Sequence, residues 1–343
     1  MLEAVEVEPE GEGGRSGLLE AIVKTTKSAK MSAEPESKKR RIVEESTTIS
    51  PSLSALPLPL PLPAASCTPA APVESYLTRG LEPSIFRLRP HDDVVRIVSD
   101  FILFNTSKPP PQDAEYEIEA KIGKIVDKQT GYRINLPVMN ECVIMNDSGW
   151  CRFESNMSMQ QHQSYNKVLN KLVDQSRKPV FRGSKVQYEH KYELDEFYRI
   201  ESGRLRVTKD AKTKVIIPGK SVIKDRVADL NVYIPTANLD YRISVSLETT
   251  VPLPAQALPV IKRRHKDRLS YTHELFTIDL TQVKMLDNQG ATTELFHELE
   301  VEVVDMDFFN KEKQKLLNKD DESRWVEAIS SLLNNVRGLA RKG

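Results

Sequence analysis

The sequence predicts a β-dominated domain with flanking helices, either a barrel or a sandwich, behind a disordered amino-terminal tail. Two observations predict the domain: apolar and polar residues alternate with period two in many segments after residue 114, and helical spacing is confined to three intervals. A third observation predicts the tail, because residues 1–80 are rich in Glu, Ser, Ala and Pro and contain no aromatic residue before Tyr76.

Composition narrows the class of protein. The chain has 343 residues with 49 Lys and Arg against 49 Asp and Glu, so a general polyanion-coating protein is not expected, although a locally basic cavity is compatible with this balance. Cys67, Cys142 and Cys151 form no CxxC pair, which argues against a disulfide framework or zinc knuckle and favours a reducing compartment. The acidic start, and the absence of an apolar run approaching about 20 residues, predict a soluble intracellular protein with no membrane span.

The tail carries two motifs. Residues 37–41, Ser-Lys-Lys-Arg-Arg, form a basic cluster that is either a nuclear import signal or a solvated charge run. Residues 56–63 alternate Leu and Pro, which forbids helix and sheet ladders and predicts a polyproline II spacer or docking peptide. The folded domain is then predicted to occupy residues 81–343.

Within that domain, the first predicted element is a helix at 94–103, and the prolines at 109–111 end it. Alternation with period two next predicts strands in seven runs: 114–122, 185–197, 203–209, 220–227, 240–249, 266–282 and 294–304. Helical intervals are predicted at 158–174 and 307–339. No internal repeat of fixed period is visible.

The polar faces of the predicted strands are sorted by charge. Two runs carry an acidic row opposite an apolar face: Glu115, Glu117 and Glu119 (followed by Lys121) in the first, and Glu298, Glu300 and Glu302 in the last. The runs between them place cations on one face: Arg204 with Arg206, Lys224 with Arg226, Arg242 with Asp240 and Glu248, and Arg264 with Lys266 and Arg268.

Two interpretations account for the acidic rows. Carboxylates two residues apart on a strand lie about 7 Å from each other. On an open polar sheet their repulsion is screened by solvent. Alternatively, the sheet closes into a barrel with a polar interior and an apolar outer face that packs on helices. Two such rows in one domain, with cationic strands between them, favour the barrel.

A charged interior of this kind predicts phosphate chemistry. Clustered Glu oxygens suit hard divalent cations such as Mg²⁺ or Mn²⁺, and Arg and Lys donate charge-assisted hydrogen bonds to phosphate oxygens. An anionic metal site beside a cationic phosphate site is the arrangement for metal-assisted phosphoryl transfer to water.

The sequence contains no motif for P-loop, cysteine-phosphatase, histidine-metal or GxSxG serine-hydrolase chemistry. Residues 219–221, Gly-Lys-Ser, imitate the end of a P-loop, but Lys214 stands where its first glycine is needed. The residue six positions after each cysteine is not Arg, which excludes the Cys-x5-Arg phosphatase mechanism. The six histidines show no HExxH or HxH spacing, and GxSxG is absent.

The charged strands carry a family resemblance. Its segments are 117–121 (Glu-Ile-Glu-Ala-Lys), 264–271 (Arg-His-Lys-Asp-Arg-Leu-Ser-Tyr) and 298–302 (Glu-Leu-Glu-Val-Glu). Together they resemble the fungal RNA 5′-triphosphatase subunit of the mRNA capping enzyme, one of the triphosphate tunnel metalloenzymes, over roughly residues 81–310. The resemblance implies a mainly β (α+β) fold, an eight-stranded antiparallel closed β-barrel, and a requirement for Mg²⁺ or Mn²⁺. It also implies hydrolysis of the γ-phosphate from the 5′ end of nascent pre-mRNA.

The resemblance assigns roles to matching positions. Glu117, Glu119 and Glu302 resemble metal ligands, and Glu300 and Glu298 belong to the same acidic row. The residues that resemble the rest of the tunnel lining are Glu248, which would orient or deprotonate the attacking water, the triphosphate-contacting cations Arg206, Lys224, Arg242 and Lys266, and also Arg264, Arg268 and Asp279.

Two positions depart from the family pattern. The family often has Lys where Arg242 stands, so only the charge is preserved there. Arg268 and Asp279 have opposite parity, so their sharing of one face requires a bulge or turn near 270–276.

The resemblance also implies partners: triphosphate-ended RNA, the guanylyltransferase, the phosphorylated tail of RNA polymerase II, and a second copy in a homodimer in the nucleus. A tryptophan-flanked peptide tethers the guanylyltransferase in some members, but the only tryptophans here are Trp150 and Trp325, which favours docking on the polymerase tail. Two rival functions stay open. One is a tunnel phosphohydrolase that acts on inorganic triphosphate or free nucleotides, and the other is a non-enzymatic module that binds polyphosphate or a partner.

Overall fold

A computed structural model of the chain describes residues 81–87, 90, 92–145, 149–253, 258–287 and 289–343. The predicted tail at 1–80, with its basic cluster and Leu-Pro segment, lies outside the described residues. The elements in chain order are α1 (Asp93–Asn105), β1 (Ala114–Asp127), β2 (Cys142–Ile144), β3 (Cys151–Glu154), α2 (Met159–Ser176), β4 (Gln187–Ile200), β5 (Gly203–Asp210), β6 (Ile216–Tyr233), β7 (Asp240–Thr250), β8 (Val260–His273), β9 (Phe276–Leu286), β10 (Thr292–Val303), α3 (Met306–Leu317) and α4 (Trp325–Ala340).

Eight of these strands close into an antiparallel barrel in the order β1-β10-β9-β8-β4-β5-β6-β7, with β7 pairing back to β1. The first and last strands complete the closure, and their register sets Glu119 opposite Glu302 and Lys121 opposite Glu300. The short strands β2 and β3 lie outside the ring, paired with β6 and with the end of β1. The predicted eight-stranded antiparallel closed barrel is confirmed.

The apolar face of the barrel points outward and packs on the helices. Ile118 and Ile122 of β1, Leu299 and Val301 of β10, and Trp325 of α4 are fully buried in one cluster. Burying each of these side chains stabilises the fold by roughly 1.5–3 kcal/mol. Because successive side chains on a strand alternate between faces, the charged residues between them point into the barrel.

The structure differs from the predicted elements in three places. The run 266–282 is two strands, β8 and β9, joined by a tight turn in which Glu274 has φ 52°. The interval 307–339 is two helices, because the chain leaves helical geometry where Lys319 adopts φ 58°. Strands β2 and β3 were not predicted, since three or four residues are too few for alternation to be recognised.

The turn between β8 and β9 removes the parity conflict between Arg268 and Asp279. In the hairpin, Arg268 is opposite Thr281 and Ser270 is opposite Asp279. Opposed residues of antiparallel strands point to the same face, so Arg268 and Asp279 share the lumen side, as a turn in this region predicts. Among the residues that the structure describes, no helix is long and apolar enough to cross a bilayer.

Candidate active site

The polar faces of the barrel strands enclose a cavity of about 360 Å³. All predicted site residues except Arg242 and Asp279 line this cavity. Asp279 lies directly behind the lining, where its Oδ2 accepts a hydrogen bond of 2.9 Å from Arg268. The two acidic rows and the cationic strands therefore meet inside one enclosed volume.

The centre of negative charge consists of Glu117, Glu119 and Glu302. Glu117 Oε2 and Glu119 Oε1 are buried, and they contact Lys224 and Arg226, respectively. Glu302 has no hydrogen bond or ion pair within the described part of the chain. Burial, and then repulsion from Glu117, Asp279 and Glu300, raise the pKa of Glu302 to about 7. Burial and the neighbouring Glu119 likewise raise the pKa of Glu117. The cations near Glu117 and Glu302 therefore do not fully balance the negative charge of these two carboxylates.

The Lys224 ammonium group lies among the carboxylates of β1 and β7. Its Nζ contacts Glu117 Oε2 and lies 3.5 Å from Glu119 Oε2 and 3.8 Å from Glu248 Oε1. Glu119 also contacts Lys121 and Arg226, each at 3.2 Å. Burial opposes the charge of Glu119, but Lys121 and the other cations lower its pKa overall.

Three cations on the facing strands are each held by a carboxylate. Arg206 donates to Glu248 Oε1 at 2.9 Å, and Lys266 Nζ lies 2.5 Å from the fully buried Asp195 Oδ2. Burial lowers the pKa of Lys266, and the nearby arginines lower it further while Asp195 opposes them. Arg268 is bound by Asp279. Cations fixed in this way are oriented before any anion enters.

The last acidic row divides into two kinds of carboxylate. Glu298 Oε2 accepts from Arg264 at 3.2 Å, whereas Glu300 pairs with Lys121. Burial opposes the charge of Glu300, but Lys121 and then Arg268 hold its pKa below the ordinary range. Of the three glutamates in this row, Glu302 is the one without an ion pair to any described residue.

Arg242 lies outside the cavity lining. Its Nε donates to Asn231 Oδ1 at 2.8 Å, its Nη1 lies 3.3 Å from Asp229 Oδ2, and its guanidinium covers the Phe153 ring at 4.8 Å. A bulge between Arg226 and Ala228 in β6 shifts the alternation and brings Asp229 to this face. Arg242 is therefore linked to the acidic centre through Asp229, whose Oδ1 accepts from Arg226 at 3.0 Å.

The prediction that Asp240 shares a charged strand face with Arg242 and Glu248 is wrong, because Asp240 does not line the cavity. Its carboxylate is fully buried, accepts from the backbone N–H groups of Ile125 and Ile234 at 2.9 and 3.0 Å, and binds Arg133. The reason is its position at the first residue of β7, where its side chain joins β1 to the segment after β6.

The carboxylates of the site that the sequence did not reveal are Glu193 and Asp195 of β4 and Asp229 of β6. Glu193 lines the cavity and Asp195 binds Lys266. Strand β4 is charged on both faces, because Glu196 points the other way and binds Lys209 at 2.5 Å. Alternation alone therefore could not select its inner face.

The raised pKa of Glu302 predicts a pH-dependent stability. The folded pKa of about 7 exceeds the reference value of 4.5, so this group's contribution to stability is full below pH 4.5 and is lost as the pH rises through 7. In chelator, we expect this group to cost about 2 kcal/mol of unfolding free energy between pH 5.5 and 8. Urea unfolding at both pH values measures the loss, which Glu302→Gln should remove and Glu115→Gln should retain. Equal pH dependence in Glu302→Gln and the unsubstituted protein would contradict this.

A closed tunnel in which carboxylates face fixed cations defines a hydrolase of the triphosphate tunnel class. The chain belongs to the family described as mRNA capping enzyme, beta chain, whose family model matches residues 88–343. The predicted family is therefore confirmed.

Individual relatives agree with this assignment. The mRNA-capping enzyme subunit beta of Schizosaccharomyces pombe is 34% identical over 255 residues, which are 73% of this chain and 81% of that one. The subunit beta of Cryptococcus neoformans is 31% identical over 271 residues, 76% of this chain but 64% of the relative's length. The solved structure of the S. pombe Pct1 RNA triphosphatase superposes with a TM-score of 0.69 at 30% identity, over 77% of this chain and 98% of that one. Another structure contains Pct1 in complex with the Spt5 CTD.

Proposed function

We propose that this chain is a metal-dependent RNA 5′-triphosphatase, which hydrolyses the γ-phosphate from the 5′-triphosphate end of nascent pre-mRNA in the first step of cap formation. The observation that carries the proposal is that Glu117, Glu119 and Glu302 face cations of the other strands inside one cavity. Names of relatives, which include RNA triphosphatase and capping-enzyme subunit, support the substrate class.

The residues fit a divalent cation. Glu117, Glu119 and Glu302 offer hard oxygen atoms that are largely shielded from solvent, and within the described residues Glu302 has no ion pair. Within the described ranges, no three donor side chains already stand in a metal-binding group, and Lys224 holds two of the glutamates. Mg²⁺ or Mn²⁺ bound by the three carboxylates would supply positive charge to the γ-phosphate oxygens.

The chain's own cations bind the rest of the triphosphate. Arg206, Lys266 and Arg268 donate to phosphate oxygens, and the carboxylates behind them keep them charged and oriented. Lys224 and Arg264 extend the same lining. Because Arg242 lies outside the cavity, its part is to hold Asp229, which positions Arg226 against Glu119.

Glu248 orients the attacking water. Its Oε1 accepts from Arg206, and this leaves Oε2 to accept a hydrogen bond and then a proton from the water. The Glu248 side chain lies next to Lys224, and its strand β7 pairs with β1, which carries Glu117 and Glu119. Glu300 and Glu298 hold Lys121 and Arg264 in this scheme, and Glu302 is the ligand contributed by the last strand.

The proposal extends to the setting of the reaction. The names beta chain and subunit beta support a second subunit, for which the guanylyltransferase is the natural candidate. The complex of Pct1 with the Spt5 CTD supports docking on a tail of the transcription machinery, such as the phosphorylated tail of RNA polymerase II. Action on nascent transcripts implies the nucleus, and a homodimer remains a prediction.

Phosphate release from three substrates tests the proposed function. We expect release from triphosphate-ended RNA in Mg²⁺ or Mn²⁺, none in chelator, and slower release from ATP and tripolyphosphate. Full release in chelator would contradict the metal assignment. Faster hydrolysis of tripolyphosphate would favour the hydrolase of free triphosphates, and binding without any turnover would favour the non-enzymatic module.

A further inference from the structure

Most cations of the tunnel are neutralised by a carboxylate, but a few are not. Within the described residues, the lining cations with no carboxylate in ion-pair range are Arg204, Lys220 and Lys262. Arg204 and Lys262 lie together at one end of the tunnel, which we call the cationic mouth, where β4 ends and its neighbours β5 and β8 begin. The mouth therefore carries positive charge that no described carboxylate balances in an ion pair.

The two cations of the cationic mouth, Arg204 and Lys262, lie on either side of Phe197. Lys262 is opposite Phe197 in the pairing of β8 with β4, and the Arg204 guanidinium lies 5.4 Å from the Phe197 ring centre. Both cations are solvent-exposed, whereas the Phe197 ring is 8% exposed. Burial, and then repulsion from Arg264 and Arg204, lower the pKa of Lys262, which indicates that the two cations share one local field.

We propose that the cationic mouth binds the sugar-phosphate backbone of the RNA at its first phosphodiester groups, so that RNA enters the tunnel from this end. The inference rests on the proposed function and adds to it the direction of entry and the residues that favour RNA over free triphosphates.

The cations of β8 form a continuous track from the mouth to the centre of the tunnel. Lys262, Arg264, Lys266 and Arg268 follow one another on the lumen face at intervals of about 7 Å. On β5, Arg204 precedes Arg206 in the same way. A triphosphate whose γ-phosphate lies at the glutamates occupies the inner cations, and the outer ones remain for phosphates farther along the RNA. Tripolyphosphate and mononucleotides have no such phosphates.

Lys220 provides an internal comparison. Strands β4 and β6 both run antiparallel to β5, so Lys220, close to the beginning of β6, lies toward the end of the barrel opposite to the cationic mouth. Like Arg204 and Lys262, it is exposed and lines the cavity, and no carboxylate in the described part of the chain pairs with it. Lys220→Gln therefore removes one lining cation from the opposite end of the tunnel and leaves the cationic mouth unchanged.

The experiment compares kcat and KM for GTP, a triphosphate-ended dinucleotide and a triphosphate-ended RNA of about ten nucleotides, in the full chain with Mg²⁺ or Mn²⁺. For Arg204→Gln combined with Lys262→Gln, we expect the KM advantage of RNA over GTP to fall about tenfold with kcat little changed. The slope of log KM for RNA against log salt should fall by roughly 0.7 for each cation removed. Lys220→Gln should retain the RNA advantage.

Each outcome separates the inference from the proposed function. An unsubstituted protein that releases no phosphate from RNA contradicts the proposed function, and the inference falls with it. An unsubstituted protein that hydrolyses RNA, with a double variant that keeps the full RNA advantage, contradicts only the cationic mouth. Equal losses on RNA and GTP, or a loss in Lys220→Gln instead, also overturn it. Hydrolysis of GTP by the double variant verifies that its tunnel is folded.

Discussion

Glu119→Gln should lower kcat for γ-phosphate release from triphosphate-ended RNA by about a thousandfold or more, while the barrel remains folded. The side chain is 4% exposed and is placed to meet Glu302 across the junction of the first and last strands. Glutamine preserves its size but removes the charge that would hold the metal ion and that now attracts Lys121 and Arg226. Single-turnover phosphate release, together with circular dichroism, measures both parts of the prediction.

A matched control is available on the same strand. Glu115 precedes Glu117 by two residues on the same face, but it is exposed and does not line the cavity. Glu115→Gln should retain turnover within about threefold, because an exposed charge outside the tunnel is screened by solvent. Equal losses in Glu115→Gln and Glu119→Gln would show that the general charge of β1, and not a specific ligand, is what matters. Full activity in Glu119→Gln would contradict the assignment.

The second large effect concerns stability rather than turnover. Asp240→Ala should lower the free energy of unfolding by about 3–5 kcal/mol, because it removes the carboxylate partner of the half-buried Arg133 guanidinium and the acceptor of two buried backbone N–H groups. The folded fraction should still hydrolyse triphosphate-ended RNA, since Asp240 lies away from the cavity. Urea unfolding measures the first result, and turnover at low temperature measures the second.

Asp225→Ala is the control for this variant, because Asp225 is an exposed carboxylate on the adjoining strand β6. It should change the free energy of unfolding by less than about 0.5 kcal/mol. A loss of turnover in Asp240→Ala without a loss of stability would restore Asp240 to the tunnel, where alternation along β7 had placed it. A stable and active Asp240→Ala protein would show that the buried network contributes little.

The charged interior could be predicted because it departs from an ordinary strand pattern. Glutamates alternate with apolar residues in β1 and β10, and this pattern indicated an acidic face whose negative charge must be balanced by cations on other strands. The intervening cations indicated the source of that compensation. Alternation along one strand fixes which residues share a face, and it does so without any knowledge of neighbouring strands.

The remaining details depend on irregularities that leave no trace in a simple alternation. The bulge after Arg226 moves Asp229 to a new face, and nothing in the order of residues marks it. The β8–β9 turn falls within an unbroken alternating run, so only the opposite parity of Arg268 and Asp279 indicated it, and Glu274 supplies the positive φ that a glycine would normally reveal. Partners such as Lys266 with Asp195 depend on strand order around the barrel, which a single strand does not encode.

The closure of the barrel has a consequence for how the protein is made. Lys121 and Glu300, which meet at the junction of β1 and β10, are 179 positions apart in the chain. Contacts this distant in sequence close slowly, because a long loop must be ordered before they form. A nascent chain in which β10 has not been translated therefore holds Glu117 and Glu119 but not Glu302, and its acidic centre is complete when β10 has been translated and docked. Every shortened product that lacks β10 should accordingly be inert, so that an incompletely synthesised copy cannot attack triphosphates.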